Sequence, residues 1–215
     1  MAFNVDSFRS SMKLDGARPN LFEVNMSTAN FLGLGIEINP EIVFKCRAAS
    51  LPEVNLGTVV VNYMGREVKL AGNRTFPEWQ ITVINDEDFL IRNFFEKWSN
   101  AINSHVGNLR NPQARKIAGG NDSYVCDATI SQFNKFGNKS KLYKFVGCWP
   151  TNVSAIDMDW STNDSIEEFT VTLAFQWWEA SATSGDGTMS GQTTDVAPTE
   201  IQNTTSGPIG ATQAF

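Results

Sequence analysis

Hydrophobic and polar residues alternate over several short stretches of the chain, a pattern typical of β-strands that bury one face. The stretch 78–84 is the clearest case, because Trp79, Ile81 and Val83 share one face and polar residues lie between them. Alternation or enrichment in β-forming residues predicts further strands at residues 20–26, 41–48, 124–132, 142–148, 153–160 and 167–178. The pattern therefore predicts a chain built mainly from β-structure.

Turn signals separate these stretches. Residues 58–71 contain two β-rich runs on either side of Met64-Gly65-Arg66, and glycine permits the backbone conformation of a tight turn. This segment is therefore predicted to form a hairpin. Further turns are predicted at Gly72-Asn73 and 135–138, and Trp149-Pro150 is predicted to end a strand.

One segment has helical rather than strand periodicity. Large apolar residues recur at three- and four-residue spacing between Leu90 and Ile102, which gives one wide apolar stripe. The preceding residues suit a helix start, because Asn85 or Asp86 can cap the free N–H groups of the first turn. A helix is therefore predicted over residues 86–103.

These elements predict a mainly β fold of two packed antiparallel sheets, as a sandwich or half-barrel, with one flanking α-helix. Residues 1–179 are predicted to form a single domain, with a polar loop at 104–122. Residues 180–215 consist mostly of Ser, Thr, Gly, Gln and Ala and contain no basic residue. Such a segment buries too little apolar surface to offset its ordering entropy. It is predicted to be a C-terminal extension that is ordered only where a partner surface holds it.

Charge is distributed unevenly along the 215 residues, whose net charge is −6. Residues 1–144 contain all 17 basic residues and 14 acidic ones, whereas residues 145–215 contain no basic residue and 9 acidic ones. A nucleic-acid-binding chain would instead show a basic patch or stripe. The charge pattern therefore argues against nucleic-acid binding.

Several other classes of protein are also disfavoured. No window approaches the ~18 consecutive apolar residues of a membrane helix, and the polar N-terminus lacks the apolar core of a secretion signal. Cys46, Cys126 and Cys148 are odd in number and widely spaced, which argues against a disulfide framework. Each of them is predicted to be a small buried hydrophobic residue in a protein from a reducing compartment.

No signal for catalysis emerges from the residues. The chain has no P-loop, HExxH, CxxC or GxSxG motif, and His105 is its only histidine. Asp157 and Asp159 would lie on one face of the predicted strand 153–160 and would share one environment, whereas a glycosidase pair needs two different environments. They are interpreted as either a plain solvated face or an acidic surface with a function. No metal site and no cofactor are predicted.

Tryptophan is unusually frequent for a β domain. Trp177 and Trp178 would point to opposite faces of a regular strand, so that only one of them can face the core. The other would face a second layer, the helix or another subunit. Because aromatic residues are enriched at interfaces, oligomerisation is favoured over a monomer.

Several motifs carry a resemblance to a known family. They are, in chain order, Ala17–Val24 (ARPNLFEV), Phe44–Ala48 (FKCRA), Gly72–Trp79 (GNRTFPEW), Ile81–Glu87 (ITVINDE), Trp149–Val153 (WPTNV) and Phe169–Leu173 (FTVTL), the last strand ending at Trp178-Glu179. Their order and spacing from about residue 15 to residue 179 resemble the tail tube proteins of contractile-tailed bacteriophages. Residues 27–40 look like an insertion relative to this pattern.

The resemblance implies a structural virion protein of the phage tail, assembled in the host cytoplasm, without enzymatic activity. It implies hexameric rings in which one sheet of each subunit joins a shared inner β-barrel, and rings that stack into a tube, as in the similar pyocin and type VI secretion tubes. The implied partners are further copies of the chain, the tail sheath, and baseplate and tail-terminator proteins. The tape measure protein and double-stranded DNA would occupy the lumen without specific binding, and the DNA would pass through it when the sheath contracts.

Within this framework, Asp157 and Asp159 are candidates for an acidic lumen face, because an acidic or neutral lumen does not hold DNA. Arg74, Phe76, Trp149 and Trp178 are candidate inter-subunit contacts. The predicted helix is expected to lie outside the inner barrel. The alternatives are a related tube-like baseplate or terminator ring and, from a different class, a soluble ligand-binding β domain.

Overall fold

The computed structural model describes residues 4–12, 16–27, 38–107, 124–183 and 189–193. Three helices, α1 (Val5–Ser11), α2 (Asn39–Lys45) and α3 (Leu90–Ile102), lie among them. The strands are β1 (Phe22–Met26), β2 (Cys46–Ala49), β3 (Asn55–Tyr63), β4 (Arg66–Thr75), β5 (Trp79–Ile84), β6 (Cys126–Phe133), β7 (Lys139–Val153), β8 (Glu168–Ala174), β9 (Trp177–Thr183) and β10 (Met189–Thr193).

All strand pairs are antiparallel, and β7 connects two sheets. Its first part pairs with β6 on one side and β9 on the other, and β9 in turn pairs with β10. Its second part pairs with β8, which continues through β5 to β2. Strand β1 pairs with β6 at the far end of this path. The prediction of a mainly β, two-sheet antiparallel fold is confirmed.

The core lies between the inner faces of these sheets and α3. The predicted face of β5 is buried, with Trp79, Ile81 and Val83 at most slightly exposed. Trp79 stacks on Phe145 of β7 at a ring-centroid distance of 4.1 Å, and its Nε1 donates a hydrogen bond to the carbonyl oxygen of Ser50 at 2.7 Å. A buried indole is stable here because its N–H has a partner.

Helix α3 presents its apolar stripe to this core, as its periodicity predicts. The buried residues of the stripe are Ile91, Phe94, Phe95 and Trp98. The predicted start at residue 86 is wrong, because the helix begins at Leu90 after Phe89, which has a positive φ of 52°. Neither Asn85 nor Asp86 caps it. Asp88 lies closest to that role, since its Oδ1 accepts the N–H of Leu90 at 3.1 Å.

The predicted strand at 41–48 is wrong in its first half, where α2 replaces it. Pro40 at the start of α2 has the fixed φ that suits the first helical turn. The Lys45 ammonium lies 2.6 Å from carboxylate oxygens of both Glu41, one turn earlier, and Asp86, before α3. Asp86 thus forms an ion pair with α2 instead of capping α3.

Two further strand predictions are wrong. Residues 154–167 lack regular structure, so the predicted strand 153–160 does not exist, and β7 instead runs through Trp149-Pro150. The predicted strand 167–178 is divided at Phe175–Gln176 into β8 and β9, which belong to different parts of the sheet system. A register shift between Pro150 and Asn152 accommodates the proline, which cannot donate to the ladder.

Some predicted features fall largely outside the described residues, namely most of the insertion at 27–40, most of the loop at 104–122 and most of the extension at 180–215. Strand β9 continues across residue 179 to Thr183, and β10 pairs with it. The domain boundary at residue 179 stays a prediction.

Candidate functional site

The hairpin of β3 and β4 forms a sheet of its own, and within the described residues it pairs with no other strand. Met64 and Gly65 at its turn have φ angles of 45° and 82°, the left-handed values that a two-residue hairpin turn requires. The predicted hairpin is therefore confirmed, and it is longer than the sequence indicates. Every residue of β3 is exposed, and so is every residue of β4 except Gly72.

The predicted turn at Gly72-Asn73 is wrong, because both residues lie inside β4. Gly72 is required there by a close approach, since a Cβ atom on it would lie 2.9 Å from the carbonyl carbon of Gly57. The register between the two strands shifts at this point, between Leu56 and Thr58. The two glycines thus allow an irregularity in the ladder near the base of the hairpin.

One face of the hairpin is apolar. Val59 pairs with Leu70 and Val61 with Val68, and Tyr63, paired with Arg66, continues the same face to the turn. All five hydrophobic side chains are exposed in the single chain. The opposite face is mixed and consists of Thr58, Val60, Asn62, Glu67, Lys69 and Ala71. An exposed contiguous apolar face of this kind marks an interaction surface.

Three predicted inter-subunit residues lie near the base of this hairpin or just beyond it. Arg74, at the end of β4, is exposed. Phe76 is half-buried, and its ring lies 6.0 Å from that of Phe175. Trp178 is also half-buried, with its ring 5.7 Å from that of Tyr143 and its Nε1 donating to the carbonyl oxygen of Glu53 at 3.2 Å.

The fourth predicted contact, Trp149, is half-buried on β7 and packs edge to face on Tyr124 at 6.1 Å. Phe76, Trp149 and Trp178 all contact the core of their own chain, so only part of each surface remains for a neighbour. Arg74 is the one fully exposed member of the set. The assignment of these four residues to inter-subunit contacts stays a prediction.

Asp157 and Asp159 lie in the irregular segment 154–167, and both are exposed. The strand that would have given them one shared face is absent, so the lumen assignment has lost its geometric basis and stays a prediction without a test. The Asp159 carboxylate accepts the backbone N–H of Ser161 at 2.9 Å, and this hydrogen bond and that of the Ser161 hydroxyl lower the pKa of Asp159.

The three cysteines are buried and free, as predicted for small hydrophobic residues. Burial raises the pKa of Cys46 and of Cys148 to about 12, and it raises that of Cys126 as well. A thiol needs to lose its proton to act as a nucleophile or metal ligand, so these three are inert. Within the described residues, no group of three or more His, Cys, Asp or Glu side chains is placed to hold a metal ion.

Among the described residues, no helix is both long and apolar enough to cross a membrane. The described surface offers an exposed apolar hairpin face and an exposed irregular segment at 154–167. The family model of the phage tail tube protein matches residues 17–181.

The chain belongs to the phage tail tube protein family. The tail tube protein gp19 of Enterobacteria phage T4 is 35% identical over 179 residues, which cover 82% of this chain and 99% of that protein. The tail tube protein of Serratia phage KSP90 is 26% identical over 80% of this chain and 93% of that protein. The resemblance seen in the motifs is therefore confirmed, and the chain is a structural tail tube subunit of a phage virion.

The fold is also found in a solved structure. The tube terminating cap of the anti-feeding prophage has a TM-score of 0.56 and 19% identity, and the match covers 85% of this chain and 100% of that chain. At this identity the match concerns the fold alone. It shows that the two proteins share this fold.

Sequence reasoning identified the hairpin but missed its apolar face as the surface of interest. The signal was present, because Val59, Val61, Val68 and Leu70 alternate with other residues although no second layer was assigned to cover them. Trp160 belongs to the predicted strand 153–160, and it is fully exposed in the irregular segment that replaces this strand.

Proposed function

We propose that the chain assembles into hexameric rings and that the rings stack into the inner tube of a contractile tail, the conduit for phage DNA during sheath contraction. The observation that carries this proposal is the β3–β4 hairpin, which pairs with no other described strand and whose apolar face is exposed. Family membership supports the tube, and the exposed hairpin supports this surface as the one through which copies associate.

A two-stranded hairpin is at best marginally stable in water, and exposed strand edges invite pairing with other chains. A hairpin of 9- and 10-residue strands that is exposed on both faces therefore needs a neighbour. Burying apolar side chains stabilises association by about 25 cal/mol per Å² removed from water, before the costs of ordering are subtracted. Repetition of one such contact from copy to copy produces a closed ring or a stack.

The proposed role is mechanical and involves no reaction, cofactor or metal. The partners are other copies of the chain, the sheath outside the tube, and baseplate and terminator proteins at its ends. Inside the tube, tape measure protein and double-stranded DNA would pass without specific binding. Each phosphate paired with Lys or Arg adds affinity, so few basic side chains should face the lumen.

Substitution on the two faces of the hairpin tests the proposal. Val61→Glu places a charge on the apolar face, whereas the matched control Val60→Glu places it on the mixed face of the same strand. The two valines are 46% and 47% exposed, so neither change should disturb the fold of the single chain. Val61→Glu should prevent or strongly reduce assembly in negative-stain electron microscopy, and Val60→Glu should leave most of it.

If both variants assemble as well as the unchanged protein, the hairpin face is not the assembly surface. If the unchanged protein forms single rings that never stack, a terminator-type or baseplate-type ring replaces the tube as the function. If it forms no ring under any condition and binds small apolar molecules instead, a ligand-binding β domain is favoured.

A further inference from the structure

A second surface for association lies in the segment 154–167, between β7 and β8. Trp160 is 100% exposed, and Met158 and Ile166 are also largely exposed. Ile156 packs against the core and anchors the start of the segment. A group of large apolar side chains in water is unfavourable for an isolated chain, and aromatic residues of this kind are enriched at protein interfaces.

The same segment carries a concentrated negative charge. Asp157, Asp159 and Asp164 are exposed, and residues 154–167 contain no basic residue. The carbonyl oxygen of Asp159 also accepts the N–H of Thr162 at 3.2 Å, in addition to the bond from Ser161 to its carboxylate. These bonds make a turn that has Trp160 at its tip, directly after Asp159. We name residues 154–167 the acidic loop.

The turn between β6 and β7 has the opposite character. Phe136 is 71% exposed at its tip, and the Asn134 side chain fixes the turn by accepting the N–H groups of Phe136 and Asn138, each at 2.9 Å. Residues 134–141 contain three lysines and no acid. Arg18 lies beside this turn, since it lines one cavity together with Asn134, Lys135 and Ser140, and it adds a further positive charge there. We name residues 134–141 the basic turn.

These two surfaces match in chemistry and are separated in space within one copy. The basic turn leads into β7 and the acidic loop leaves it, so they lie at opposite ends of a strand of 15 residues. An extended run of that length spans at most about 50 Å, and β7 is not straight, because it passes from one sheet to the other at Gly147. Since the two surfaces are attached to opposite ends of β7, a head-to-tail arrangement of two copies brings them together. Such heterologous contacts generate rings or stacks.

We propose that the acidic loop of one copy docks on the basic turn of a neighbouring copy, with Trp160 and Phe136 in the apolar centre and the aspartates and lysines around them. This contact rests on the proposed function, because it requires that the chain self-assembles. It gives Asp157 and Asp159 a place between subunits instead of on the lumen face. Opposite charges at the rim would steer the copies into this register and disfavour others.

Site-specific crosslinking between copies tests the contact directly. One preparation carries Phe136→Cys and another carries Trp160→Cys, and the two are mixed before assembly and oxidised with copper phenanthroline. The three native thiols are buried, which keeps the background low. A covalent dimer on a non-reducing gel is expected from the mixture. In the control mixture Val106→Cys, also at a 100% exposed position, replaces Trp160→Cys and should give no dimer.

The outcomes separate this contact from the proposed function. If the unchanged protein assembles and the mixture assembles without the covalent dimer, the docking contact is wrong and the tube remains. If the unchanged protein forms no rings or tubes, the proposed function fails and the contact fails with it.

If Trp160→Cys itself blocks assembly, a series of charge exchanges tests the docking contact instead. Asp157→Lys with Asp159→Lys should raise the protein concentration needed for assembly by about tenfold, because like charges then face each other. Adding Lys135→Glu and Lys141→Glu to that variant should restore assembly toward the original threshold. A fourfold variant no better than the twofold one would overturn the contact.

Discussion

At the residue scale, Lys45 shows how one side chain joins elements that are distant in the sequence. Its ammonium lies between the carboxylates of Glu41, on the same helix, and Asp86, which follows β5. The hydrogen bond that Lys45 donates to Asp86, and after it the one that it donates to Glu41, raises the pKa of Lys45. The hydrogen bond from Lys45 is likewise the main cause of the lowered pKa of Asp86. The two directions agree, so the pair stabilises both charged forms.

This pair gives stability a defined pH dependence. The lowered pKa of Asp86 means that its contribution is present above its ordinary value of 3.8 and is lost as the pH falls through the folded pKa. The raised pKa of Lys45 means that its contribution is present below 10.5 and is lost as the pH rises through the folded pKa. Urea unfolding of Lys45→Met should therefore show a lower midpoint than the unchanged protein near pH 7, and this difference should vanish in strong acid.

Lys97→Met on the exposed side of α3 serves as the control for this experiment, since it removes a charge without removing the Asp86 pair. Its effect should not follow the titration of Asp86. A Lys45→Met difference of the same size at pH 7 and at pH 2.5 would show that the pair does not contribute through its charges.

Buried residues were largely predictable at this scale, because periodicity reports which side of an element faces the core. Trp79, Ile81 and Val83 are buried as predicted, and so are Phe94 and Trp98. Neighbours in space were not predictable. Periodicity gives a face but not the element that covers it, so the packing of Trp178 on Tyr143 and the full exposure of Trp160 could not be foreseen.

At the element scale, the structure depends on the point at which β7 passes from one sheet to the other. Gly147 at this point has a φ of 68°, and the N–H of Gln176 donates to the carbonyl oxygen of Val146 at 3.0 Å. The break between β8 and β9 at Phe175–Gln176 therefore lies directly against the crossing in β7. The chain thus passes between the sheets at the same place in β7 and between β8 and β9. Gly147 allows the Gln176 side chain to lie close to β7, because glycine has no side chain of its own.

Replacement of this glycine should destabilise the fold more than replacement of a glycine in an exposed turn. Gly147→Ala imposes a positive φ on alanine and also places a Cβ 3.1 Å from Cγ of Gln176. Gly137→Ala is the matched control, with a φ of 81° and no atom within 4 Å of the added Cβ. Both should lose about 1–2 kcal/mol from the positive φ, and Gly147→Ala about 1 kcal/mol more from crowding.

Urea unfolding of the two glycine variants measures this difference, and circular dichroism checks that each retains its β-structure. Equal losses of the free energy of unfolding would mean that the Gln176 side chain moves away without cost and that the crossing is not tightly packed.

The errors of sequence reasoning at this scale have physical causes. The segment Glu41–Lys45 contains Ile, Val and Phe and resembles a strand, but Pro40 at the helix start and the ion pair between Glu41 and Lys45, one turn apart, favour α2. Pro150 suggested a strand end, yet a register shift allows β7 to continue. The alternation through 167–178 is uninterrupted, so it could not reveal a change of sheet at Phe175, which depends on contacts with distant residues.

At the scale of the whole molecule, charge is separated along the fold as well as along the sequence. The basic turn lies at one end of β7 and the acidic loop at the other. The absence of basic residues after residue 144 therefore corresponds to an acidic end of β7, opposite a basic end. A head-to-tail arrangement of copies would bring these opposite charges together.

Motifs distributed over the chain predicted the family, and alternation predicted the fold class, because both depend on local sequence. The assembly surfaces depend on what remains uncovered after folding. Alternation within the β3–β4 hairpin indicates its apolar face but not whether another strand covers that face, and within the described residues none pairs with it.

Cryo-electron microscopy of the purified full-length protein after self-assembly tests the central claim most directly, since it gives both the symmetry and the contacts of each copy. The account predicts stacked rings of six subunits in which the apolar face of every β3–β4 hairpin is buried against a neighbouring copy. Dispersed monomers at every protein and salt concentration, or a tube in which that face remains in solvent, would contradict it.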